Sequence, residues 1–328
     1  MSLKKIIEQI KKKNDFLITT HVNSEGDALG SELAFYRLIK ALKKNAVMVI
    51  EDSLPYGYDF LPDAGKIIKY KTNLKGIEFD CFVTVDCSDL KRTGEVYKIN
   101  TENKPVINID HHVSNGGFGD FNWVEPRASS CCEMVYELYK KLNVKFDNET
   151  ALLLYVGIST DTGSFRYSNT TSRTHKIAAE LLKYDIDIPW VYNKVHGNLP
   201  YQNMELVAKM LNDMKRQYEG KIIWFQAKAS LLKNNEPIYV DLTDHVMNFG
   251  RAIKGAEVVV LFKENLGVKN EVRVNFRSQG QVDVNKIAGF FGGGGHKTAS
   301  GCTIHGNTDT IRRRVLKRIE VSLKELGL

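Results

Sequence analysis

Pro105-Val106-Ile107-Asn108-Ile109-Asp110-His111-His112 is the stretch on which the reading of this chain turns. Val106, Ile107 and Ile109 are β-branched strand formers, and a continuous apolar run suits a strand buried on both faces. The run stops at an acid and two imidazoles. Polar groups at the carboxyl end of such a strand stand where open α/β sheets place their binding crevice. Successive side chains of a strand point to opposite faces, so His111 and His112 are expected to do different jobs. One can ligate a metal while the other faces a substrate. Two histidines that merely finish a strand are the bland alternative, and the neighbouring segments argue against it.

Towards the amino terminus the same pattern recurs. Cys81-Phe82-Val83-Thr84-Val85 reads as a strand ending in Asp86, followed by the turn-like Cys87-Ser88-Asp89. Val47–Glu51 is a further strand, and residues 3–12, with Leu3, Ile6, Ile7 and Ile10 at helical spacing, form an amphipathic opening helix. Phe16–Thr20 reads as a strand leading into His21-Val22-Asn23-Ser24-Glu25-Gly26-Asp27, then a helix over Glu32–Lys43. Strand, polar loop and helix make the first unit of a βαβ architecture. The loop's imidazole and two carboxylates are dense enough to suit a divalent metal, and Gly26 is expected to let the backbone turn between the acids. Towards the carboxyl terminus a glycine-rich loop (Gly116, Gly117, Gly119) precedes Ser129 and Ser130, which lead into a helix over 132–142. A buried helix over 149–160 stops at Asp161, and Ser172 is the expected cap of a helix over 173–183.

Past residue 184 the pattern changes. Residues 185–220, with a helix from Pro200 to about Tyr218, read as a linker between a domain at 1–184 and a smaller α+β domain at 221–328. In the latter, 221–229 reads as a strand and 241–254 as a helix; 256–262 and 271–276 make a hairpin across Asn265-Leu266-Gly267. Residues 282–291 lead to Gly292, Gly293, Gly294, Gly295 and His296. Such a run lets backbone N–H groups approach an anion, though a flexible loop reads as well. Arg277-Ser278, ending a strand, adds a guanidinium able to grip phosphate bidentately. The last helix, about 309–326, carries Arg312, Arg313, Arg314, Lys317 and Arg318, read as a solvated face in preference to an RNA contact. The expected fold class is α/β: an N-terminal, mainly parallel sheet plus a smaller C-terminal α+β domain, with a cleft between them.

A length of 328 residues accommodates about two domains. With 43% hydrophobic and 26% charged residues, the composition is that of an ordinary soluble globular protein, and a sizeable core is expected. The formal charge of +7 leans towards an anionic partner. Five cysteines without a CxxC pair argue against a disulfide framework and for a reducing compartment, with Cys131 and Cys132 as packing residues. No run approaches about 18 apolar residues, and no signal-peptide core opens the chain, so a cytoplasmic protein without membrane contact is expected. His21, Glu25, Asp27, Asp86, His111 and Asp161 together exceed the needs of one divalent ion. Two ions about 3.5–4 Å apart, sharing a bridging carboxylate, would use them all. The absence of a thiolate leans towards manganese or a similar ion.

His21-xxx-Glu25-Gly26-Asp27, Asp86, Asp110-His111-His112 and Asp161 resemble, in order, the four motifs of the DHH phosphoesterase superfamily. Arg277-Ser278 and Gly292–His296 resemble the signature of its associated C-terminal domain. The resemblance covers nearly the whole chain and is similar in length and spacing to the nanoRNase/pAp phosphatase subfamily. It implies two manganese ions, one on His21, Glu25, Asp86 and Asp161, the other on Asp27, Asp86 and His111, with Asp86 bridging. Asp110 would orient His111, His112 would contact the scissile phosphate, and a metal-bridging hydroxide would be the nucleophile. Asp86, Asp110 and His112 are thus the implied catalytic group. Arg277, Ser278, Gly293, Gly294, Gly295 and His296 would bind the terminal phosphate or sugar. The family's usual residue at position 25 is aspartate; glutamate adds a methylene, which puts first-site geometry and metal preference in question.

The implied activity is hydrolysis of very short RNAs to mononucleotides, together with removal of the 3′-phosphate of 3′-phosphoadenosine 5′-phosphate (pAp). Hydrolysis of linear or cyclic dinucleotide signals is the rival within the class. A pyrophosphatase or a long-strand RecJ-type exonuclease fits less well. A catalytically silent nucleotide-binding module is opposed by the ligand-competent side chain at every motif position. Short RNA or a nucleotide is the expected partner, and a homodimer is left open.

Overall fold

The apolar run that closes on Asp110 is one strand of a six-stranded parallel sheet. In this computed structural model, residues 3–72, 74, 76–197, 199–233, 242–265 and 267–328 are described. The chain divides into two compact units, Met1–Asn198 and Leu199–Leu328.

In the first unit the strands are β1 (Asp15–Thr19), β2 (Asn45–Ile50), β3 (Ile68–Lys69), β4 (Cys81–Val85), β5 (Val106–Asp110) and β6 (Phe121–Val124). Their order is β3-β2-β1-β4-β5-β6, and every pairing is parallel. The order reverses between β1 and β4, which makes their carboxyl ends the topological switch point where such sheets bind ligands. β4 is buried at all five positions and β5 at its last four, as a strand covered on both faces requires.

One face packs against helices α1 (Leu3–Lys12), α2 (Gly26–Ala41), α3 (Cys131–Lys141), α4 (Asn148–Asp161), α5 (Ser172–Leu181) and α6 (Ile188–His196). On the other face Leu17, Val49 and Phe82 are buried with Val96, beneath short 3₁₀ turns at Leu90–Thr93 and Val96–Ile99. A fully buried side chain the size of Phe82 contributes roughly 1.5–3 kcal/mol.

Two local expectations change here. The helix expected from Glu32 begins at Gly26, so Asp27 belongs to its first turn and not to a loop. Gly26 serves close packing: a β-carbon there would lie 2.4 Å from Thr160 Oγ1 on α4. The cap of α5 is Thr171, whose hydroxyl accepts from the Thr174 amide in a reciprocal capping box; Ser172 is the first helical residue.

The second unit comprises α7 (Tyr201–Asn212), β7 (Lys215–Gln217), β8 (Ile222–Ala227), α8 (Ala229–Lys233), α9 (Thr243–Arg251), β9 (Val258–Glu264), β10 (Glu271–Ser278), α10 (Val284–Phe290), β11 (Gly294–His296), β12 (Ala299–His305) and α11 (Thr308–Glu325). Its sheet runs β11-β12-β10-β9-β8-β7, antiparallel except for the parallel β8–β9 pair. Strand alternation divides the core. Ile223, Phe225, Val259 and Leu261 face α7 and α9, whereas Ile222, Val258, Val260 and Phe262 face α10 and α11.

The stretch expected as a linker is divided between the units. Val191 of α6 is buried in the first core, and Leu206, Val207 and Met210 of α7 in the second. The helix ends at Asn212, well short of Tyr218, because Lys215–Gln217 pairs with β8. Asp241 and Leu266, named in the expected helix and hairpin, lie outside the described residues. No described helix is long and apolar enough to cross a membrane.

Candidate metal centre

Three strand ends of the first sheet deliver polar side chains to one edge. His21 follows β1, Asp86 follows β4, and Asp110, His111 and His112 end and follow β5. Asp86 leaves its strand in the left-handed region (φ 54°), a conformation that Asp tolerates better than most residues. Asp27 comes from the first turn of α2 and Asp161 from the last residue of α4. All except Asp161 are buried, and Asp161 exposes about a fifth of its side chain.

Asp86 is the hub. Its Oδ2 lies 3.5 Å from His21 Nε2, and its Oδ1 lies 3.5 Å from His111 Nε2 and 3.6 Å from His112 Nδ1. His111 Nε2 is also 3.6 Å from Asp161 Oδ2 and 3.8 Å from Asp27 Oδ2. These separations exceed ordinary hydrogen bonds. His21 Nδ1 sits 2.8 Å from the Val22 carbonyl and His111 Nδ1 sits 3.2 Å from that of Ala128. A carbonyl can only accept, so each Nδ1 carries a hydrogen and each Nε2 is left to face carboxylates. In that tautomer each Nε2 is free to offer a lone pair to a cation shared with the carboxylates it faces. Asp86 Oδ1 is buried with no hydrogen-bond partner among the described residues. One ligand atom each from Asp27, Asp86 and His111 falls within 4.8 Å of the others. Such a donor set fits a divalent metal.

The ionisation pattern agrees with that chemistry. Burial raises Asp27 to about 6, helped by Asp86 and opposed by His111 and two backbone amides. Burial also raises Asp161, His111 opposes it, and the charges of Asp27, Asp86 and Glu25 add to the rise. For Asp86 burial acts upward, but His111, His21 and His112 hold the carboxyl well below its usual range. Burial opposes the charged form of His111, yet Asp161, Asp86 and Asp27 hold its imidazole well above the ordinary value. Acids so close together demand positive charge.

The surrounding contacts assign roles that strand alternation could not. Asp110 Oδ1 accepts from His112 Nδ1 at 2.7 Å, and its Oδ2 accepts from Asn115 Nδ2 at 2.6 Å. The aspartate expected to orient His111 therefore orients His112, while the Ala128 carbonyl holds His111. Asn115 also donates to Asn108 Oδ1 and the Cys87 carbonyl, tying the loop after β5 back to β4. Asn115 escaped the sequence reading; its signal was an Asx-type position before Gly116-Gly117, and its Oδ1 accepts from the Gly117 amide. Asp27 has a second task, accepting the Cys131 and Cys132 amides at 2.6 and 2.9 Å and so capping α3. Glu25 occupies the N-cap position of α2 without a side-chain cap bond and is exposed, at the solvent edge of the buried group.

In the second unit, Arg277 and His296 pair with Ala299 from opposite sides across β10, β12 and β11. Paired residues of an antiparallel ladder share a face, so the Arg277 and His296 backbones stand two strand spacings, about 10 Å, apart on one face with the small Ala299 between them. Arg277 Nη2 is engaged by Asp244 Oδ1 at 2.7 Å. Ser278 is buried and its Oγ accepts from the Gly280 amide at 3.3 Å. The glycine run forms a hairpin edge where a loose loop was the alternative. The Gly292 and Gly293 amides donate to Gly289 and Ala288, and a β-carbon on Gly293 would lie 2.1 Å from the Gly301 carbonyl oxygen. Gly293 thus provides room, not a free donor.

Comparison with known proteins agrees with both halves. Residues 15–158 match the model of the DHH family, N-terminal domain, and residues 240–321 that of the DHHA1 domain. The bifunctional oligoribonuclease and PAP phosphatase NrnA of Thermus thermophilus is 32% identical, over 94% of this chain and 90% of its own. The protein of the same name from Bacillus subtilis is 28% identical, over 98% of each chain. Among solved structures, an exopolyphosphatase-related protein from Bacteroides fragilis superposes with a TM-score of 0.84 at 24% identity, covering 98% of this chain and 95% of that one.

Proposed function

Because the chain belongs to the DHH/DHHA1 phosphoesterase superfamily, alongside the NrnA-type hydrolases, we propose that it is a manganese-dependent oligoribonuclease that cleaves dinucleotides and other very short RNAs to mononucleotides, and that the same site removes the 3′-phosphate of pAp. The observation that carries this reading is Asp86: a buried carboxylate at the sheet's switch point, faced by imidazoles on both oxygens, with Oδ1 unsatisfied. His21, Glu25, Asp86 and Asp161 would hold one ion, and Asp27, Asp86 and His111 the other. When bound, the ions supply water activation and charge neutralisation for phosphoryl hydrolysis.

The remaining work falls to the chain's own groups. Asp110 fixes the His112 ring through Nδ1, which would aim Nε2 at a phosphate oxygen of the substrate. Asn115 holds Asp110 in place from behind. Arg277 and His296, aligned over Ala299, would grip the substrate's terminal phosphate or sugar, with Ser278 and the Gly293–Gly295 hairpin shaping the pocket. A reducing, cytoplasmic setting suits the five buried free thiols.

The test is turnover by the manganese-loaded protein on four substrates side by side: a 5′-phosphorylated RNA dinucleotide, a long RNA, pAp and cyclic di-AMP. Rapid dinucleotide cleavage with slow action on the long RNA, plus release of phosphate from pAp, is expected. A preference for the cyclic compound would replace the RNA assignment with a signalling one. Silence on all four with metal bound would overturn the substrate class.

A further inference from the structure

The helix read from sequence as a solvated basic face does more than dissolve. α11 packs Ile311, Val315, Leu316, Ile319 and Leu323 into the second core. On a neighbouring face Arg313, Arg314, Lys317 and Arg318 recur at the three- and four-residue spacing that aligns side chains along a helix. Opposite them stand Phe290 and Phe291, at and just beyond the end of α10, in edge-to-face contact at 5.1 Å. Together these six side chains line most of a groove of about 600 Å³, within the size range of sites that hold small ligands. Phe290 is 66% exposed, an odd place to leave a large ring for the sake of folding.

Charge decides what the groove suits. Among the described residues no carboxylate lines it. Asp309 pairs with Arg312 at 2.7 Å and Glu320 approaches Lys317 at 3.4 Å, but among the described residues no carboxylate pairs with Arg313, Arg314 or Arg318. Arg318 and Arg314 lie instead over the rings of Phe290 and Phe291, at 5.3 and 5.9 Å. Arg318 Nε is buried without an acceptor among the described residues. Exposed aromatic surface interleaved with unpaired guanidinium groups is the combination that holds single-stranded nucleic acid: bases stack on rings and guanidinium planes while cations track the phosphates. An acidic peptide would use the cations but leave the exposed ring without a partner.

We propose that this groove is a second nucleic-acid site, one that binds a segment of single-stranded RNA through Phe290 and the Arg313, Arg314, Lys317 and Arg318 cations. It is separate from the Arg277–His296 pair. α10 and α11 pack on the sheet face opposite α9, and Arg277 bonds to α9 through Asp244. The proposal stands whether or not the first unit cleaves short RNA.

Binding of a fluorescent single-stranded RNA of about twelve nucleotides to the full-length protein, read by anisotropy in a chelator across a salt series, tests it. The double variant Arg314→Gln/Arg318→Gln should weaken binding about tenfold or more and flatten the salt dependence by roughly one unit of slope. Phe290→Ala should weaken binding about fivefold or more without altering that slope, and Phe290→Tyr should restore it. Dinucleotide turnover, measured with manganese, should be the same in all variants. Unchanged RNA affinity in the double variant would overturn the proposal. So would equal competition by an acidic peptide, or variants that lose binding to phosphatidylserine vesicles while keeping RNA.

Discussion

The two units treat charge in opposite ways. The first collects acids at the carboxyl edge of a parallel sheet, buries most of them, and leaves Asp86 Oδ1 without a hydrogen-bond partner among the described residues. The second sets Arg277 and His296 on either side of Ala299 and lets Asp244 hold the guanidinium in the meantime. A buried cluster of like charges costs stability unless cations arrive, so its persistence marks a place where cations bind. A guanidinium already paired to an exposed acid costs little and can change partner. The contrast predicts that damage to the first unit removes chemistry, whereas damage to the second removes affinity.

The largest effect should follow loss of the hub. Asp86→Ala is expected to lower kcat on the order of a thousandfold or more and to reduce bound manganese, without unfolding the metal-free protein. Retained turnover would break the contrast at its root. Next comes Asp110→Asn, expected to lower kcat about 10- to 100-fold with metal content unchanged, since Asp110 bonds to His112 and the Ala128 carbonyl holds His111. If Asp110→Asn instead strips metal, the orientation first expected for His111 is the correct one.

That second prediction marks where sequence stopped being informative. Asp86, Asp110, His111 and His21 were legible as polar residues at or just beyond the ends of mainly apolar buried strands. Such a position locates a side chain along the sheet edge but not its neighbours, and alternation could only say that His111 and His112 diverge. Which ring meets Asp110 depends on the loop that Asn115 ties to Cys87. The start of α2 was missed for a related reason. Gly26 reads locally as a turn, and only its approach to Thr160, far along the chain, makes it a helix contact. The strand within the expected linker is three residues long and shows itself only through pairing with β8.

Effects in the second unit should be smaller and fall on KM. Arg277→Ala is expected to raise KM for short RNA about tenfold at unchanged manganese content. Asp244→Asn should act in the opposite direction, lowering KM a few-fold, because the guanidinium no longer leaves an anionic partner to meet the phosphate. Equal KM values for Asp244→Asn and the parent would mean that the ion pair positions Arg277 and does not compete with substrate. A fall in kcat for Arg277→Ala without a change in KM would erase the division of labour between the units.

The smallest effect belongs to acids of the first unit that are paired. Arg37 Nη1 meets Asp63 at 2.6 Å, Nη2 meets Asp147 and Glu149 at 2.7 Å, and Nε donates to Thr150 at 3.0 Å, joining α2 to the start of α4. Burial acts upward on both aspartates, but Lys66 and Arg37 hold Asp63 below its usual range, and Thr150 and Arg37 do the same for Asp147. A depressed carboxylate contributes stability that is complete above its unfolded value, about 3.9, and disappears as pH falls through the folded one. Arg37→Ala should therefore cost about 1–2 kcal/mol at neutral pH, discounted because Asp147 and Glu149 are largely exposed. Thermal melts should show a deficit of roughly 2–6 °C at pH 7 that narrows below about pH 4. Turnover should not move. A deficit that persists undiminished into acid would mean that Arg37 stabilises by packing its stem, and that even the paired acids of this unit contribute little.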